Sequence, residues 1–301
     1  MVAAAQKTPT KDQVLSWARD KGKESLMLNW KPVWKDRQTG EIVNFAEIGD
    51  HDELIRTSQR FEAQYLNEIA ELRRDFVLKN LESLGYEESV RIFERELCKK
   101  DPYYLGKYVL GYDKAVFHLH YFMANSMANL PPGYRGLREF PRDSYKSTFM
   151  VITYVINAII NDPNVRILLK SNKVANAGNK LIEAKNHFLR NERFRELFPE
   201  HAPRKVAEHG SGIKWDTPAK TAPQNEGTLN AAGVGSSQTS QHYDIIIGDD
   251  FWDQKSVKSP EVMSKCRGEM AEIEYLLAAP PKGRIIFIGT RFSYDDPSTD
   301  L

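Results

Sequence analysis

The stretch Phe140-Pro-Arg-Asp-Ser-Tyr-Lys-Ser-Thr148 leads directly into a long apolar run. Lys146 and Ser147 match the end of the phosphate-binding pattern G-x-x-x-x-G-K-S/T, in which the lysine reaches the outer phosphates and the hydroxyl ligates Mg²⁺. Phe140 and Tyr145 occupy the two glycine positions, so the octet alone is equally compatible with a basic helix start.

The apolar run from Thr148 to Ile160 is long enough to form a buried helix. Its N-terminus would then lie between Lys146 and Thr148. A helix N-terminus presents free N–H groups and the positive end of the helix dipole, and both accommodate a phosphate group. The order of loop and helix therefore predicts a nucleotide phosphate site.

Three short runs rich in Ile, Val and Leu have the profile of strands covered on both faces of a parallel sheet. The strand that should lead into the loop, residues 136–140, has only two large apolar residues, so we expect it to be short or partly exposed. Helical patterns separate the strands, and the alternation predicts an α/β fold with a mostly parallel sheet flanked by helices. The three runs are residues 165–169, 243–250 and 284–290, and the helical patterns are residues 173–197 and 260–278, the latter with Ser259 as N-cap.

Polar side chains follow two of these strands. Asp249 and Asp250 close the second run, and ligands of open α/β sheets bind at the carboxyl ends of strands. In a nucleotide hydrolase the first acid holds Mg²⁺ and the second orients the attacking water. Thr290 ends the third run in the same way, which would bring its hydroxyl near the γ-phosphate. A solvated acidic turn and a small-residue strand exit are the alternatives for these two strand ends.

Together these segments resemble the large terminase subunit of tailed bacteriophages, over roughly the last two thirds of the chain. The family is an ATP-driven motor that packages double-stranded DNA, with an N-terminal ATPase domain and a C-terminal nuclease domain. The resemblance implies a P-loop ATPase fold that hydrolyses ATP with Mg²⁺. It rests on the ordered motifs Pro141-Arg-x-x-x-Lys-Ser-Thr148, Asp162-Pro-Asn-x-Arg-Ile-Leu168, Phe194-x-x-Leu-Phe-Pro199, Gly233-Val-Gly-Ser-Ser-x-Thr239, His242-x-Asp-x-Ile-Ile-x-Asp-Asp250 and Ile288-Gly-Thr-Arg-Phe292.

The resemblance implies that the loop binds ATP and that Lys146 contacts its phosphates. Ser147 and Asp249 would bind Mg²⁺. Arg142 matches an arginine that the family places inside this loop, where it would sense or stabilise the γ-phosphate. The loop residues expected to contact the nucleotide are Pro141, Arg142, Asp143, Ser144, Tyr145, Lys146, Ser147 and Thr148.

The resemblance also assigns two roles outside the loop. Asp250 would be the catalytic carboxylate, where many relatives carry Glu. Thr290 would belong to the motif that couples hydrolysis to DNA movement. Just before the loop, His118 and Tyr121 lie in an aromatic stretch where helicase-like ATPases often place groups that hold the adenine, although a buried helix face explains the same stretch.

The loop departs from the family at Asp143 and Tyr145, where relatives commonly carry glycine. A residue other than glycine at positive φ costs on the order of 1 kcal/mol or more. Asp143 also adds a negative charge close to anionic phosphates. We therefore expect a different conformation of the empty loop and weak nucleotide binding.

The first hundred residues are less informative, and we assign residues 1–110 to a mainly helical region and residues 111–301 to the ATPase domain. Residues 33–43 suggest a hairpin that turns at Thr39-Gly40. Residues 52–81 predict a long amphipathic helix, and Asp101-Pro-Tyr-Tyr-Leu105 should open another. The apolar positions of the long helix are Phe61, Tyr65, Ile69, Leu72 and Phe76.

Composition sets limits on the remaining possibilities. A net charge of +1 does not mark the whole chain as a nucleic-acid binder. No hydrophobic run is long enough to span a bilayer, and the N-terminus lacks the layout of a secretory signal. Cys98 and Cys266 are isolated, with neither metal-ligand spacing nor a disulfide framework, which suits a reducing cytoplasm.

The resemblance implies partners and a location. These are double-stranded DNA, a portal protein, a small terminase subunit and further copies in a homo-oligomeric ring, at the procapsid portal vertex in the host cytoplasm. The chain stops at Leu301, so a nuclease domain is not expected in it. The sequence leaves open which arginine acts on a neighbouring subunit, with Arg190, Arg193, Arg195 and Arg204 as candidates.

One alternative function comes from another class of protein. The chain would then be a degenerate, non-hydrolysing P-loop domain that serves as a DNA- or capsid-docking module. A phosphotransferase or sulfotransferase would leave the Asp-Asp and Gly-Thr strand ends unexplained.

Overall fold

The computed structural model describes residues 33–35, 42–44, 48–204, 210–236, 238, 240–254 and 256–292. Two short strands form an antiparallel pair in which Trp34 lies opposite Val43, as the predicted hairpin requires. The turn predicted at Thr39-Gly40 lies outside the described residues. Within the described part of the chain, no helix is long and apolar enough to cross a membrane.

A six-stranded sheet organises the rest of the chain, in the order β3-β8-β7-β4-β6-β5. Its first five strands are parallel, and β5 pairs antiparallel with β6 at one end. The predicted α/β fold with a mostly parallel sheet is therefore confirmed. The strands are β1 (Val33–Lys35), β2 (Ile42–Asn44), β3 (Arg135–Glu139), β4 (Ile167–Ser171), β5 (Lys214–Trp215), β6 (Leu229–Gly233), β7 (Ile245–Asp249) and β8 (Arg284–Gly289).

Helices cover both faces of this sheet. Two π-helical segments, Leu105–Val109 and Ser147–Thr153, follow α3 and precede α5. Short 3₁₀ turns occur at Pro199–His201, Ser256–Lys258 and Ile273–Leu276. The α-helices are α1 (His51–Leu84), α2 (Tyr86–Lys100), α3 (Pro102–Tyr104), α4 (Phe117–Ala128), α5 (Tyr154–Asn161), α6 (Val174–Arg190), α7 (Glu192–Leu197) and α8 (Pro260–Glu272).

Alternate side chains of the central strands face two separate hydrophobic clusters. Ile245 and Ile247 of β7 lie in a large cluster with residues of α4, α5 and α6. Ile246 lies in a smaller cluster with Cys266 of α8. Burial on both faces explains why these strands read as continuous apolar runs instead of alternating ones.

The N-terminal helices share the large cluster with the sheet. Asp50 caps α1 by accepting a hydrogen bond from the Glu53 N–H, and Phe61 is buried. Asp101 caps α3 in the same way through the Tyr103 N–H. The amphipathic pattern was wrong at Leu72, which is 61% exposed although Ile69 and Val77 on either side of it are buried.

Strand β3 lies at the edge of the described sheet and pairs with β8 alone. Of its five residues only Arg138 is buried, and its guanidinium lies over the ring of Tyr134. Of the two predictions for this strand, short or partly exposed, the second is confirmed, since β3 is as long as β4 and β7. Its side chains are only partly covered, so it does not need the continuous apolar sequence of the central strands.

The structure adds a strand between residues 222 and 242 that none of the apolar runs predicted. This segment contains β6, a fully buried strand that is parallel to β4. Its sequence, Leu-Asn-Ala-Ala-Gly, lacks the β-branched residues that identify a strand. Small side chains are needed here because α6 approaches closely: a Cβ atom on Gly233 would lie 2.7 Å from the backbone nitrogen of Val174.

We predict that Gly233→Ala lowers the free energy of unfolding by about 1–3 kcal/mol, because the added methyl group meets backbone atoms that cannot move aside cheaply. Gly268→Ala is the matched control. Gly268 is exposed on α8 with no atom near its would-be Cβ, so alanine there should raise stability by about 0.5–1 kcal/mol. Urea unfolding measures both. Equal effects would contradict the close approach of α6 to β6.

Candidate functional site

The carboxyl edge of the sheet carries most of the backbone strain in the described residues. Among the described residues, four that are not glycine adopt positive φ. Three of the four lie at this edge: Asp143 at 60°, Tyr145 at 57° and Asp250 at 47°. Each costs on the order of 1 kcal/mol or more. Strain of this kind persists where the surroundings fix it, and it concentrates at functional sites.

The loop after β3 is tied to the end of β8. The Phe140 N–H donates to the Gly289 carbonyl at 3.1 Å, and the Thr290 hydroxyl donates to the Phe140 carbonyl at 3.1 Å. Inside the loop, the Ser144 hydroxyl donates to the Pro141 carbonyl at 2.7 Å. These bonds fix where the loop leaves the sheet and how it turns.

The loop shares one backbone feature with anion sites. Tyr145 is left-handed and Lys146 is right-handed, and neighbouring residues of opposite hand form anion-binding concavities in other proteins. Within the described residues, the N–H groups from Arg142 to Tyr145 donate no hydrogen bond. Asp143 and Tyr145 both adopt the left-handed backbone although neither is glycine.

Aromatic packing holds Tyr145 in this conformation. Its ring contacts those of Tyr112, His120 and Phe149, with centroids 5.9–6.4 Å apart. His120 also reaches the loop directly, with Nε2 3.2 Å from the Ser144 carbonyl. These contacts stabilise what glycine would otherwise allow at no steric cost.

His120 lies in the stretch expected to hold the adenine, yet the sequence favoured its neighbours. Its Nδ1 lies 2.9 Å from the Val116 nitrogen and 3.0 Å from the Val116 carbonyl oxygen, and its Nε2 faces the Ser144 carbonyl. Burial lowers the pKa of His120, so the neutral imidazole persists at neutral pH. The available signal was its position on the face of α4 opposite to His118.

Lys146 and Ser147 stand where the loop becomes a helix. The side chain of Lys146 is buried, and its ammonium has no hydrogen-bond or ion-pair partner among the described residues. Ser147 begins the π-helical segment, a rare form that is often found at functional sites. Within this segment, the Thr153 hydroxyl donates to the Thr148 carbonyl at 2.9 Å.

Asp249 lies buried at the end of β7, beside Ser147. Burial raises the pKa of Asp249, and the nearby Lys180 ammonium and Ser147 hydroxyl lower it in part. Lys180 Nζ lies 2.7 Å from Oδ2, and neither carboxylate oxygen has a partner with full hydrogen-bond geometry within the described residues. A buried carboxylate oxygen without a donor, next to a hydroxyl, is a suitable place for Mg²⁺ or one of its water ligands.

The residues present therefore fit a magnesium ion bound jointly with phosphates. In the described part of the chain, no three His, Cys, Asp or Glu side chains cluster as metal ligands. Mg²⁺ needs no such cluster, because it commonly uses one or two carboxylates together with substrate phosphates and water.

Asp250 turns away from the strand at its left-handed backbone. Its N–H donates to the Ile288 carbonyl at 3.0 Å, and its carbonyl accepts the Asn172 N–H at 3.1 Å. Its half-buried carboxylate has no hydrogen-bond partner among the described residues. The backbone is thus fixed on both sides while the carboxylate remains available to a ligand or water.

The remaining predicted residues lie at different distances from this centre. Arg142 is exposed, and its guanidinium lies 5.2 Å from the ring centroid of Phe292. The His118 N–H donates to the Ser58 hydroxyl, and burial lowers the pKa of His118 to about 4. Tyr121 packs in an aromatic group with Tyr65, Tyr103 and Phe117. The structure therefore brings the loop, Asp249, Asp250 and Thr290 together, and it directs His118 and Tyr121 toward α1.

The arginine candidates have different surroundings. Arg193 forms an ion pair with Glu94, and Arg195 donates to the Leu189 carbonyl at 2.7 Å. Arg190 is exposed at the end of α6, where it lines an open cavity of about 370 Å³ together with Tyr112. Arg204 lies at the border of the described residues.

Fold and geometry define an α/β protein with a candidate anion and metal site at the carboxyl edge of its sheet. No protein-family model matches the chain, and no curated protein matches it. The case for a particular function therefore depends on the residues at this edge.

We predict that Tyr145→Gly lowers the free energy of unfolding by about 2–3 kcal/mol, because the lost ring packing outweighs the strain relieved at positive φ. Asp143→Gly is the matched control. Asp143 is exposed, so this substitution relieves the same kind of backbone strain without removing a packed ring. Its effect should stay within about 1 kcal/mol of zero. Denaturant unfolding of both variants is the measurement, and equal losses would show that aromatic packing does not hold the loop.

Proposed function

We propose that this chain is an ATPase domain of the terminase type, which hydrolyses ATP with Mg²⁺ to drive translocation of double-stranded DNA. One observation carries the proposal: residues that are not glycine adopt the left-handed backbone of a phosphate loop at both Asp143 and Tyr145. The chain accepts this strain directly beside Lys146 and the buried Asp249.

Phosphate binding would use the unbonded N–H groups from Arg142 to Tyr145 and the helix N-terminus that follows them. Lys146 would place its partnerless ammonium on the outer phosphates. Arg142 is exposed at the mouth of the loop and would reach the γ-phosphate. Pro141, Ser144 and Thr148 would shape the loop around the phosphates through their backbone.

Hydrolysis would use the two carboxylates at the end of β7. Ser147 and Asp249 would hold Mg²⁺, which neutralises charge on the phosphate oxygens when bound. Asp250 would accept a hydrogen bond from the attacking water and orient it toward the phosphorus, since its carboxylate is not engaged with the described residues. Its fixed backbone would spare the reaction the cost of positioning that group.

Coupling to movement would run through the end of β8. Thr290 donates a hydrogen bond to the Phe140 carbonyl, the first residue of the loop, so a change in the loop reaches β8 through one contact. We propose the further partners of the motor, namely DNA, a portal protein, a small terminase subunit and further copies in a ring, on the resemblance alone.

The second candidate function is a docking module that binds nucleotide poorly and does not hydrolyse it. The Asp143 carboxylate favours it, because an exposed negative charge in the loop repels phosphates. The two functions differ in turnover and are separated by the following experiment.

We predict that the chain hydrolyses ATP with Mg²⁺ in the presence of double-stranded DNA, and that two substitutions abolish turnover. Lys146→Ala removes the phosphate cation, and Asp250→Asn removes the acceptor for water while keeping the side-chain shape. Each should lower kcat by about 100-fold or more in a phosphate-release assay. Lys185→Ala, on the outer part of α6, is the control and should leave kcat unchanged.

Two results would count against the proposal. Absence of turnover in the unmodified chain, with or without DNA, would favour the docking module. Equal turnover in the unmodified chain and in both variants would place any hydrolysis outside this site.

We also predict that Mg²⁺·ATP binds more weakly than about 1 μM, because the Asp143 charge opposes it. Asp143→Asn removes the charge but keeps a side chain that tolerates the left-handed backbone. Asp143→Gly removes the charge too, and the strain is present in the empty loop already, so calorimetry should give similarly tighter binding for both variants than for the unmodified chain. Sub-micromolar binding by the unmodified chain would refute the weak-binding hypothesis.

A further inference from the structure

Lys180 is the cation nearest to the candidate metal site, and no motif pointed to it. It lies on α6, and its side chain is largely buried. Nζ is 2.7 Å from Asp249 Oδ2 and 3.5 Å from the Ser171 hydroxyl. Ser171 in turn donates to the Asp249 backbone carbonyl at 2.6 Å. Lys180 is therefore anchored to the end of both β4 and β7.

The Asp249 carboxylate requires a positive charge beside it. A buried carboxylate that remains ionised without a partner is strongly unfavourable, and the group becomes neutral instead. Among the described residues, Lys180 forms the ion pair that compensates Asp249. A divalent cation bound to the same carboxylate would also compensate its negative charge. Lys180 and the metal are therefore two alternative sources of positive charge for Asp249.

The two cations also repel each other. Charges a few ångströms apart in a partly buried site interact far more strongly than in water. Lys180 offsets the formal charge of Asp249, so this carboxylate attracts a bare divalent ion less strongly than an unpaired one would. A triphosphate brings several negative charges and changes that balance.

We propose that Lys180 sets the order of binding: it neutralises Asp249, so that the protein alone binds a divalent cation poorly and the metal enters together with the triphosphate. Lys180 forms its ion pair through Oδ2, and neither carboxylate oxygen of Asp249 has a hydrogen-bond partner among the described residues, so Asp249 can still accept a metal or its water. Lys180 is in this sense a positioning residue that acts through Asp249. The inference rests on the proposed function, which supplies the metal and the triphosphate.

A purely structural role for Lys180 makes a different prediction. If Lys180 only joined α6 to the sheet, its removal would lower stability and leave the intrinsic metal affinity of the folded protein unchanged. Metal affinity without nucleotide therefore separates the two roles, and it needs no catalytic turnover.

The experiment titrates Mn²⁺ into the nucleotide-free chain and follows free Mn²⁺ by electron paramagnetic resonance. We expect Kd in the millimolar range or weaker for the unmodified chain and a Kd at least about ten-fold lower for Lys180→Gln, in which Mn²⁺ has only a proton, and no fixed cation, to compete with at Asp249. Lys180→Arg keeps the charge and should match the unmodified chain. The double variant Lys180→Gln with Asp249→Asn should lose the gain.

Two outcomes overturn the proposal: tight Mn²⁺ binding by the unmodified chain without nucleotide, or a folded Lys180→Gln variant with unchanged affinity. If Lys180→Gln does not fold, the unmodified chain still decides, because Mn²⁺ alone should leave its thermal midpoint unchanged while Mn²⁺ with ATP raises it. A midpoint raised equally by Mn²⁺ alone overturns the binding order. Absence of any effect of Mn²⁺ with ATP contradicts the proposed function instead.

Discussion

Parallel pairing of β8 with both β3 and β7 is the constraint on which the candidate site depends. It brings the ends of β3, β7 and β8 to one edge of the sheet. Phe140, Asp249 and Thr290 are therefore neighbours there, although they are far apart in sequence. The burial of β7 and β8 on both faces fixes this register, because a one-residue slip would exchange the side chains of the two hydrophobic clusters. The site is thus a product of core packing.

The strained loop shows how the same packing supports unfavourable local geometry. Tyr145 lacks the conformational freedom that glycine would have at this position, but its ring packs against Tyr112, His120 and Phe149. Glycine would lose more conformational entropy on folding, so a packed tyrosine reduces one cost while adding steric strain. The packing of Tyr145 therefore gives the loop its left-handed conformation in the absence of a ligand.

Strong local patterns predicted much of this architecture. The apolar runs gave β4, β7 and β8 to within two residues, and Ser259 and Asp101 cap helices as expected. Strand β6 was missed because close contact with α6 demands small residues that carry no strand signal. His120 and Lys180 were missed because their importance lies in contacts across the sequence, with Ser144 and Asp249. The strained backbone at Asp250 likewise leaves no mark in a single sequence.

The position of β3 gives the loop an unusual mechanical attachment. A strand with a neighbour on each side is held by two hydrogen-bond ladders, whereas β3 is held in the described sheet by the ladder to β8 alone. Edge strands open more readily than central ones, since fewer bonds break together. Its buried arginine, Arg138, also discourages pairing with a foreign strand, as inward-pointing charges do on natural sheet edges. The loop therefore follows a strand that the described sheet holds through β8 alone, so a displacement of β8 would carry the loop with it.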